Sequence, residues 1–326
     1  VVTAFKQPFL VNGIDLYVGC SIGITVYPED GTDAVTLLKN ADTAMYRAKD
    51  AGRDGHVRYN AELSVAMHNK IELDGALRTA VREGDFELHY QPIVDITSGK
   101  VVACEALIRW PDAPAGAHMP DRFIPLAEET RLIVPLGEWI LREALSRMRA
   151  WQASGIELDY MSVNISAVQL AQPDFPDRVI ALLRESGVPG RKLQIELTEN
   201  VLMRDIELCS WVLTHLREHG IRVAIDDFGT GYSSLSYLKQ LPIDNLKIDR
   251  SFVQDIPGDP NDCAIAAAVI GLARTLGLDA IAEGIETREQ QDYLVRIGCD
   301  KMQGYLHARP LPADAFAAFV TRPQTC

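Results

Sequence analysis

Hydrophobic and polar positions repeat along this chain with two periods, and residues 60–85 separate two blocks. In the first block Ile14–Val18 and Ile22–Tyr27 read as strands. The turn Pro28-Glu29-Asp30-Gly31 follows, then an amphipathic helix from about Asp33 to Ala51. Val35, Leu38, Ala41, Ala44 and Met45 fall three or four residues apart and share one helix face, and Gly52 or Gly55 ends the helix. So few elements cannot cover their own apolar faces. Residues 1–60 are therefore expected to be a fragment of a larger α/β domain, joined to the rest by a linker helix over 61–75.

The second block, 76–322, alternates apolar runs with helical patterns. Strands are expected at Phe86–Asp95, Val101–Trp110, Met161–Ser166, Leu193–Glu199, Arg222–Phe228, Asn245–Asp249, Ala280–Glu286 and Met302–Leu306. Helices are expected at Leu136–Trp151, Phe175–Ser186, Asp205–His219, Ala264–Leu276 and Arg288–Ile297, several ending in glycine (155, 187, 220, 277, 298) as at a helix C′ position. Such alternation predicts an α/β fold, a closed (β/α)8 TIM-like barrel rather than a doubly wound sheet. Only Ile96-Thr97-Ser98-Gly99-Lys100 separates the first two strands, too little for a crossover helix, so they are expected to form an antiparallel hairpin.

Composition narrows the function classes. The 326 residues are 47% hydrophobic and 24% charged, an ordinary globular balance. A net charge of −13 argues against a broad nucleic-acid surface but leaves room for a small phosphate ligand if a metal cation supplies positive charge. The longest apolar run, Cys263–Ala273, is 11 residues, against about 20 for a membrane span. No secretory signal is visible, and the start reads as cut from a longer chain. Cysteines 20, 104, 209, 263, 299 and 326 are scattered without Cys-x-x-Cys spacing, which predicts reduced thiols and a cytoplasmic setting, the parent protein being open to membrane anchorage elsewhere.

Polar residues competent to bind metal recur at the C-terminal ends of successive strands: Glu105, Asn164, Glu196 and Glu199, Asp226 and Asp227, Lys247 and Asp249, Glu283 and Glu286, and Gln303. Taken singly, each reads as a solvated loop residue or a helix cap. Jointly they would meet at one mouth of a parallel barrel. Unpaired buried carboxylates cost several kcal/mol each, and a hard divalent cation resolves that cost because it takes oxygen ligands. Strand neighbours diverge, so Asp226 and Asp227 are expected to serve one ion each. Two ions about 3.5–4 Å apart would clamp an in-line phosphoryl displacement.

The same residues carry a resemblance. Glu105-Ala106-Leu107 with Arg109-Trp110 resembles the signature of the EAL-domain family. Its companions are Tyr90-Gln91-Pro92-Ile93, Asn164-Ile165-Ser166, Glu196-Leu197-Thr198-Glu199, the run from Asp226 to Leu235, Lys247-Ile248-Asp249, Ala282-Glu283-Gly284-Ile285-Glu286 and Gln303-Gly304-Tyr305. Residues 20–60 resemble the C-terminal end of a GGDEF (diguanylate cyclase) domain through Ser21-Ile22-Gly23-Ile24, Tyr27-Pro28, Ala41-Asp42 and Ala44-Met45-Tyr46. The loop that names that family is absent, so no cyclase activity is expected of this chain.

The resemblance implies a bacterial enzyme that hydrolyses cyclic di-GMP to linear pGpG with two Mg²⁺ or Mn²⁺ ions, in a barrel whose first strand is antiparallel. It implies Glu105, Asn164, Glu196 and Asp226 on one metal, and Asp226 and Asp227 on the other. Lys247 would hold and polarise the attacking water, with a pKa that two metals could depress. Glu283 would be the general base, and Glu199 would steady the loop after Asp227. Gln91, Leu107, Arg109, Asp249, Glu286, Gln303 and Tyr305 would face the substrate, Arg109 by a forked contact to phosphate. Pairing of two barrels through helices beside the Asp226–Leu235 loop, and sensory domains upstream, are further implications. A receptor that binds the dinucleotide without cleaving it, and a hydrolase of another phosphoester, are the competing readings.

Overall fold

The computed structural model describes residues 1–5, 7–50, 52, 54–231 and 238–322. It contains two compact units, Val1–Leu77 and Arg78–Cys326.

In the first unit, β1 (Phe9–Val11) and β2 (Ile14–Leu16) form an antiparallel pair, and β3 (Ile22–Ile24) runs parallel to β4 (His56–Arg58). Helix Ala34–Asp50 packs on β3 so closely that a Cβ on Gly23 would lie 1.8 Å from the Ala41 carbonyl oxygen. Only glycine fits there. β4 was not expected from the sequence, since three residues flanked by polar ones carry little periodicity. Helix Ala61–Glu83 is 23 residues long, where the sequence reading placed a linker helix over 61–75.

In the second unit, β5 (Glu87–Asp95) and β6 (Val101–Arg109) form the expected antiparallel hairpin. Its turn is closed by Asp95, whose carboxylate accepts from the Ser98 amide at 2.7 Å and from the Ser98 hydroxyl at 2.6 Å. The sheet then continues in parallel through β7 (Tyr160–Asn164), β8 (Leu193–Thr198), β9 (Arg222–Phe228), β10 (Asn245–Ile248), β11 (Asp279–Ala282) and β12 (Lys301–Gln303). β12 closes the barrel antiparallel on Ile93–Asp95 of β5, and a short β13 (Leu311–Pro312) covers the rest of that edge at His89 and Tyr90. The fold is an eight-stranded mixed barrel with outer helices, as read from the sequence.

The helices bury one stripe each. Ile133–Ala153 turns Leu136, Ile140, Leu141, Ala144, Leu145, Met148 and Trp151 onto the strands. Trp151 stacks on Phe316 of the last helix at 4.8 Å and meets Tyr90 of β5 edge-on at 4.7 Å. Helices Phe175–Ser186, Pro260–Leu276 and Arg288–Ile297 end in left-handed glycines 187, 277 and 298. Helix Pro120–Glu129, with Pro125 inside it, was missed by the periodicity reading. The five described cysteines are free, and no helix among the described residues is long and apolar enough to cross a membrane.

Candidate active site

Parallel strands point their C-terminal ends to one mouth, and there the side chains singled out above converge. Lys247, on β10, is fully buried at the centre. Its Nζ lies 2.5 Å from Glu196 Oε2 (β8), 2.7 Å from Glu283 Oε1 (just past β11), 3.2 Å from Asp226 Oδ1 (β9) and 3.3 Å from Glu105 Oε2 (β6). One cation thus serves four carboxylates. Burial alone would push the lysine down, but these acids hold it well above the usual lysine value.

The acids differ in their donors. Burial pushes Glu105 up, yet Lys247 outweighs it together with two amides: Gln303 Nε2 donates to Oε2 at 2.7 Å and Asn164 Nδ2 to Oε1 at 2.6 Å. Its net shift is downward. Glu196, equally buried, has Lys247 and one longer donor, Gln194 Nε2 at 3.3 Å, and burial pushes it up to about 7. Glu283 is also raised well above the carboxylate range by burial and by Asp226 and Glu105, against the opposing pull of Lys247.

The register explains the Asp226-Asp227 pair. β9 and β10 pair at Ala224↔Asn245 and Ile225↔Leu246, then at Phe228↔Ile248, so Asp226 and Asp227 together oppose Lys247. This is a bulge, and Asp227 occupies the left-handed region at φ 53°. Ordinary strand neighbours diverge; the bulge cancels that divergence. One oxygen each of Asp226, Asp227 and Glu283 lie within 4.8 Å of one another, which corrects the sequence expectation of divergent side chains. Burial, then the neighbouring Asp226 and Asp249 carboxylates, push Asp227 up to about 6.

Around the ring, Gln91 on β5 accepts from Gln303 at 3.1 Å. Glu199 takes the backbone amides of Gly229 at 3.0 Å and Gly231 at 3.4 Å on one oxygen, fixing the start of the loop; its continuation, 232–237, lies outside the described residues. The chain after β11 lies directly on the chain after β12. A Cβ on Gly304 would sit 2.1 Å from the Ile285 carbonyl oxygen, and Ile285 donates to Gln303 O at 3.2 Å. This contact sets Glu283 and Gln303 side by side. It also shortens both strands relative to expectation: Glu283, Glu286 and Tyr305 sit on rim loops rather than strand ends.

Two cavities open at this rim. One of about 400 Å³ is lined by Gln91, Glu105, Leu107, Asp226, Glu283, Glu286, Gln303 and Tyr305, together with Arg250. The other, of about 390 Å³, is lined by Leu107, Asn164 and Glu196 and by the apolar Ile124, Pro125, Ile133, Ile140 and Val201. Leu107 belongs to both. Arg109 and Asp249 line neither: Arg109 donates to the Ile108 carbonyl at 2.8 Å, and Asp249 caps the next turn through the Ser251 amide at 2.9 Å. Larger grooves along the outer helices, of about 500 and 550 Å³, do not contain the ring. Sequence reasoning missed Gln194, Ser162, Asn245 and Arg250; the polar Gln194 within an apolar strand was the available signal.

The donor set is carboxylate and amide oxygen, the set a hard divalent cation takes, and the Asp226–Asp227–Glu283 spacing fits one. Residues Glu105, Asn164, Glu196, Asp226, Asp227 and Glu283 are those that could hold such ions.

Comparison with known proteins follows the same division. The model described as "EAL domain" matches residues 74–310, and that described as "Diguanylate cyclase, GGDEF domain" matches residues 1–55. The chain is 43% identical over 321 residues to the bifunctional diguanylate cyclase/cyclic di-GMP phosphodiesterase MucR of Pseudomonas aeruginosa, covering 98% of this chain and 47% of the relative. It is 41% identical to the cyclic di-GMP phosphodiesterase NbdA of the same organism, covering 97% of this chain and 40% of that one. The chain therefore spans less than half of either relative. A solved structure described as the PaMucR phosphodiesterase in complex with c-di-GMP superposes with a TM-score of 0.72 at 43% identity, covering 75% of this chain and 99% of the other.

Proposed function

This chain belongs to the EAL-domain family, and from that premise we propose that it is a divalent-cation-dependent phosphodiesterase that hydrolyses cyclic di-GMP to linear pGpG. The observation that carries the reading is the ring itself: four carboxylates on one buried lysine, with Asp227 brought alongside by the bulge. So much negative charge in a barrel interior has no structural use. It suits a site built to take cations.

Two Mg²⁺ or Mn²⁺ ions held by Glu105, Asn164, Glu196, Asp226 and Asp227 would neutralise a phosphodiester's oxygens and lower the pKa of a water. The remaining work falls to the chain. Lys247 would orient the water and keep positive charge beside the nucleophile. Glu283, within 2.7 Å of Lys247 and raised in basicity by burial and neighbouring acids, would take the proton of the attacking water. Glu199 would hold the Gly229–Gly231 backbone over the site. The two cavities meeting at Leu107 would take the halves of an extended dinucleotide, with Gln91, Glu286, Gln303 and Tyr305 on one side. Arg109 would have to leave the Ile108 carbonyl to reach phosphate.

Purified protein incubated with cyclic di-GMP and Mg²⁺ or Mn²⁺ should release pGpG, and Asp226→Ala should abolish it. Turnover that persists in excess EDTA would contradict the metal-dependent scheme. Binding without product would favour the receptor reading instead.

A further inference from the structure

Directly beneath the ring, the barrel is filled by a connected polar layer where Val, Ile or Leu would be the usual filling. Ser162 (β7), Gln194 (β8) and Asn245 (β10) are each fully buried. Ser162 and Gln194 are register partners, and Gln194 precedes Glu196 by two residues, so both side chains share the inner face. Gln194 Nε2 donates to Ser162 Oγ at 2.9 Å and to Glu196 Oε1 at 3.3 Å, while Asn245 Nδ2 donates to Gln194 Oε1. These contacts fix the amide's sense. Turned over, its oxygen would face the Glu196 carboxylate.

Burying three polar side chains costs free energy that an apolar layer would avoid, and only hydrogen bonding offsets it. Among the described residues the layer's hydrogen bond to the site goes to Glu196 Oε1, the oxygen that Lys247 does not hold. Glu105 is pinned in the same way, by the amides of Asn164 and Gln303. We propose that Gln194, oriented by Ser162 and Asn245, is a positioning residue that fixes the Glu196 carboxylate for a divalent cation. The inference rests on the metal-dependent reading above and adds to it a dedicated support. Partners of this kind, once removed, typically cost 10–100-fold in metal affinity or activity.

The test is calorimetric titration of the full chain with Mn²⁺ alone, without nucleotide, beside melting curves recorded in EDTA. Gln194→Met keeps the volume and removes both donors. It should fold, bind Mn²⁺ at least about tenfold more weakly, and need correspondingly more Mn²⁺ for half-maximal turnover, with kcat at saturating Mn²⁺ within about twofold of wild type. Gln194→Asn, which keeps an amide but shortens its reach, should show the same loss of affinity if the Met variant does not fold. Tyr160→Phe, elsewhere in the barrel, should leave Mn²⁺ affinity unchanged. A folded Gln194 variant with wild-type Mn²⁺ affinity would overturn the proposal. Wild-type protein that takes up no Mn²⁺ would instead overturn the metal reading beneath it.

Discussion

The two ends of the barrel both gather charge, yet they balance it differently. At the N-terminal end four of the parallel strands, β7, β9, β11 and β12, contribute their first residues: Tyr160, Arg222, Asp279 and Lys301. Arg222 lies 4.8 Å and Lys301 5.3 Å from the Tyr160 ring centre, and both cations pair with Asp279, Lys301 at 2.7 Å and Arg222 at 3.9 Å. Cations there find an aromatic face and a carboxylate, so the charges at that end are balanced by its own residues. At the C-terminal end Glu105, Glu196, Asp226 and Glu283 share one lysine. A surplus of buried acid is stable only with help from outside. One end is a plug, the other a receptacle.

Breaking the receptacle should have the largest effect. Lys247→Met removes the only cation within 4.0 Å of Glu196 among the described residues and leaves the ring uncompensated. Loss of one partner from a buried pair costs about 3–5 kcal/mol, so the denaturant midpoint in EDTA should fall accordingly, and turnover should be lost as well. A variant as stable as wild type would show that the ring is protonated or hydrated without the lysine.

Supplying the missing charge should act in the opposite direction. Mn²⁺ or Mg²⁺ at a hundred times its dissociation constant should stabilise the fold by about 2.7 kcal/mol, reversibly with EDTA. Asp226→Ala, which removes a shared ligand, should abolish most of that gain.

Acidity should separate the two ends further. Glu196 is raised to about 7 and Asp227 to about 6, above their values in an unfolded chain. A raised carboxylate holds its proton longer folded than unfolded, so the folded state binds more protons between the two values. In EDTA the melting temperature should therefore fall as pH rises from about 5 to about 7, and Glu196→Gln should flatten that slope. With Mn²⁺ present the trend should reverse, because the cation needs ionised ligands. A metal-free melting temperature that rises over this range would show that these acids are ionised well below pH 5.

How much of this was visible in the sequence follows from what fixes each feature. The hairpin was legible because a five-residue connector, Ile96–Lys100, admits nothing else. The parallel strands were legible from period and length, and their C-terminal polar residues followed from barrel geometry. The Asp226–Asp227 bulge was not, because one residue of slip between β9 and β10 is a property of pairing, and aspartate tolerates φ 53° without advertising it. The rim loops were read as strand because Ile285 is apolar and buried; what ends β11 is the seat of Gly304 against it. Gln194 shares the inward parity of Glu196 and drew no reading, since its partners Ser162 and Asn245 come from other strands and meet it only in three dimensions.

The smallest effect is expected at the plug. The Tyr160 hydroxyl is buried without a hydrogen-bond partner among the described residues, and Arg222 Nε likewise. Tyr160→Phe keeps the ring that Arg222 and Lys301 flank and deletes a polar group that has already lost its water. Removing an unsatisfied group is nearly neutral or stabilising, by at most about 1 kcal/mol. Urea denaturation in EDTA should show that small change, and Mn²⁺ should stabilise the variant as much as wild type. A loss greater than about 1 kcal/mol would mean that the hydroxyl is engaged, a bound water being the simplest partner, and that the plug also completes itself from outside.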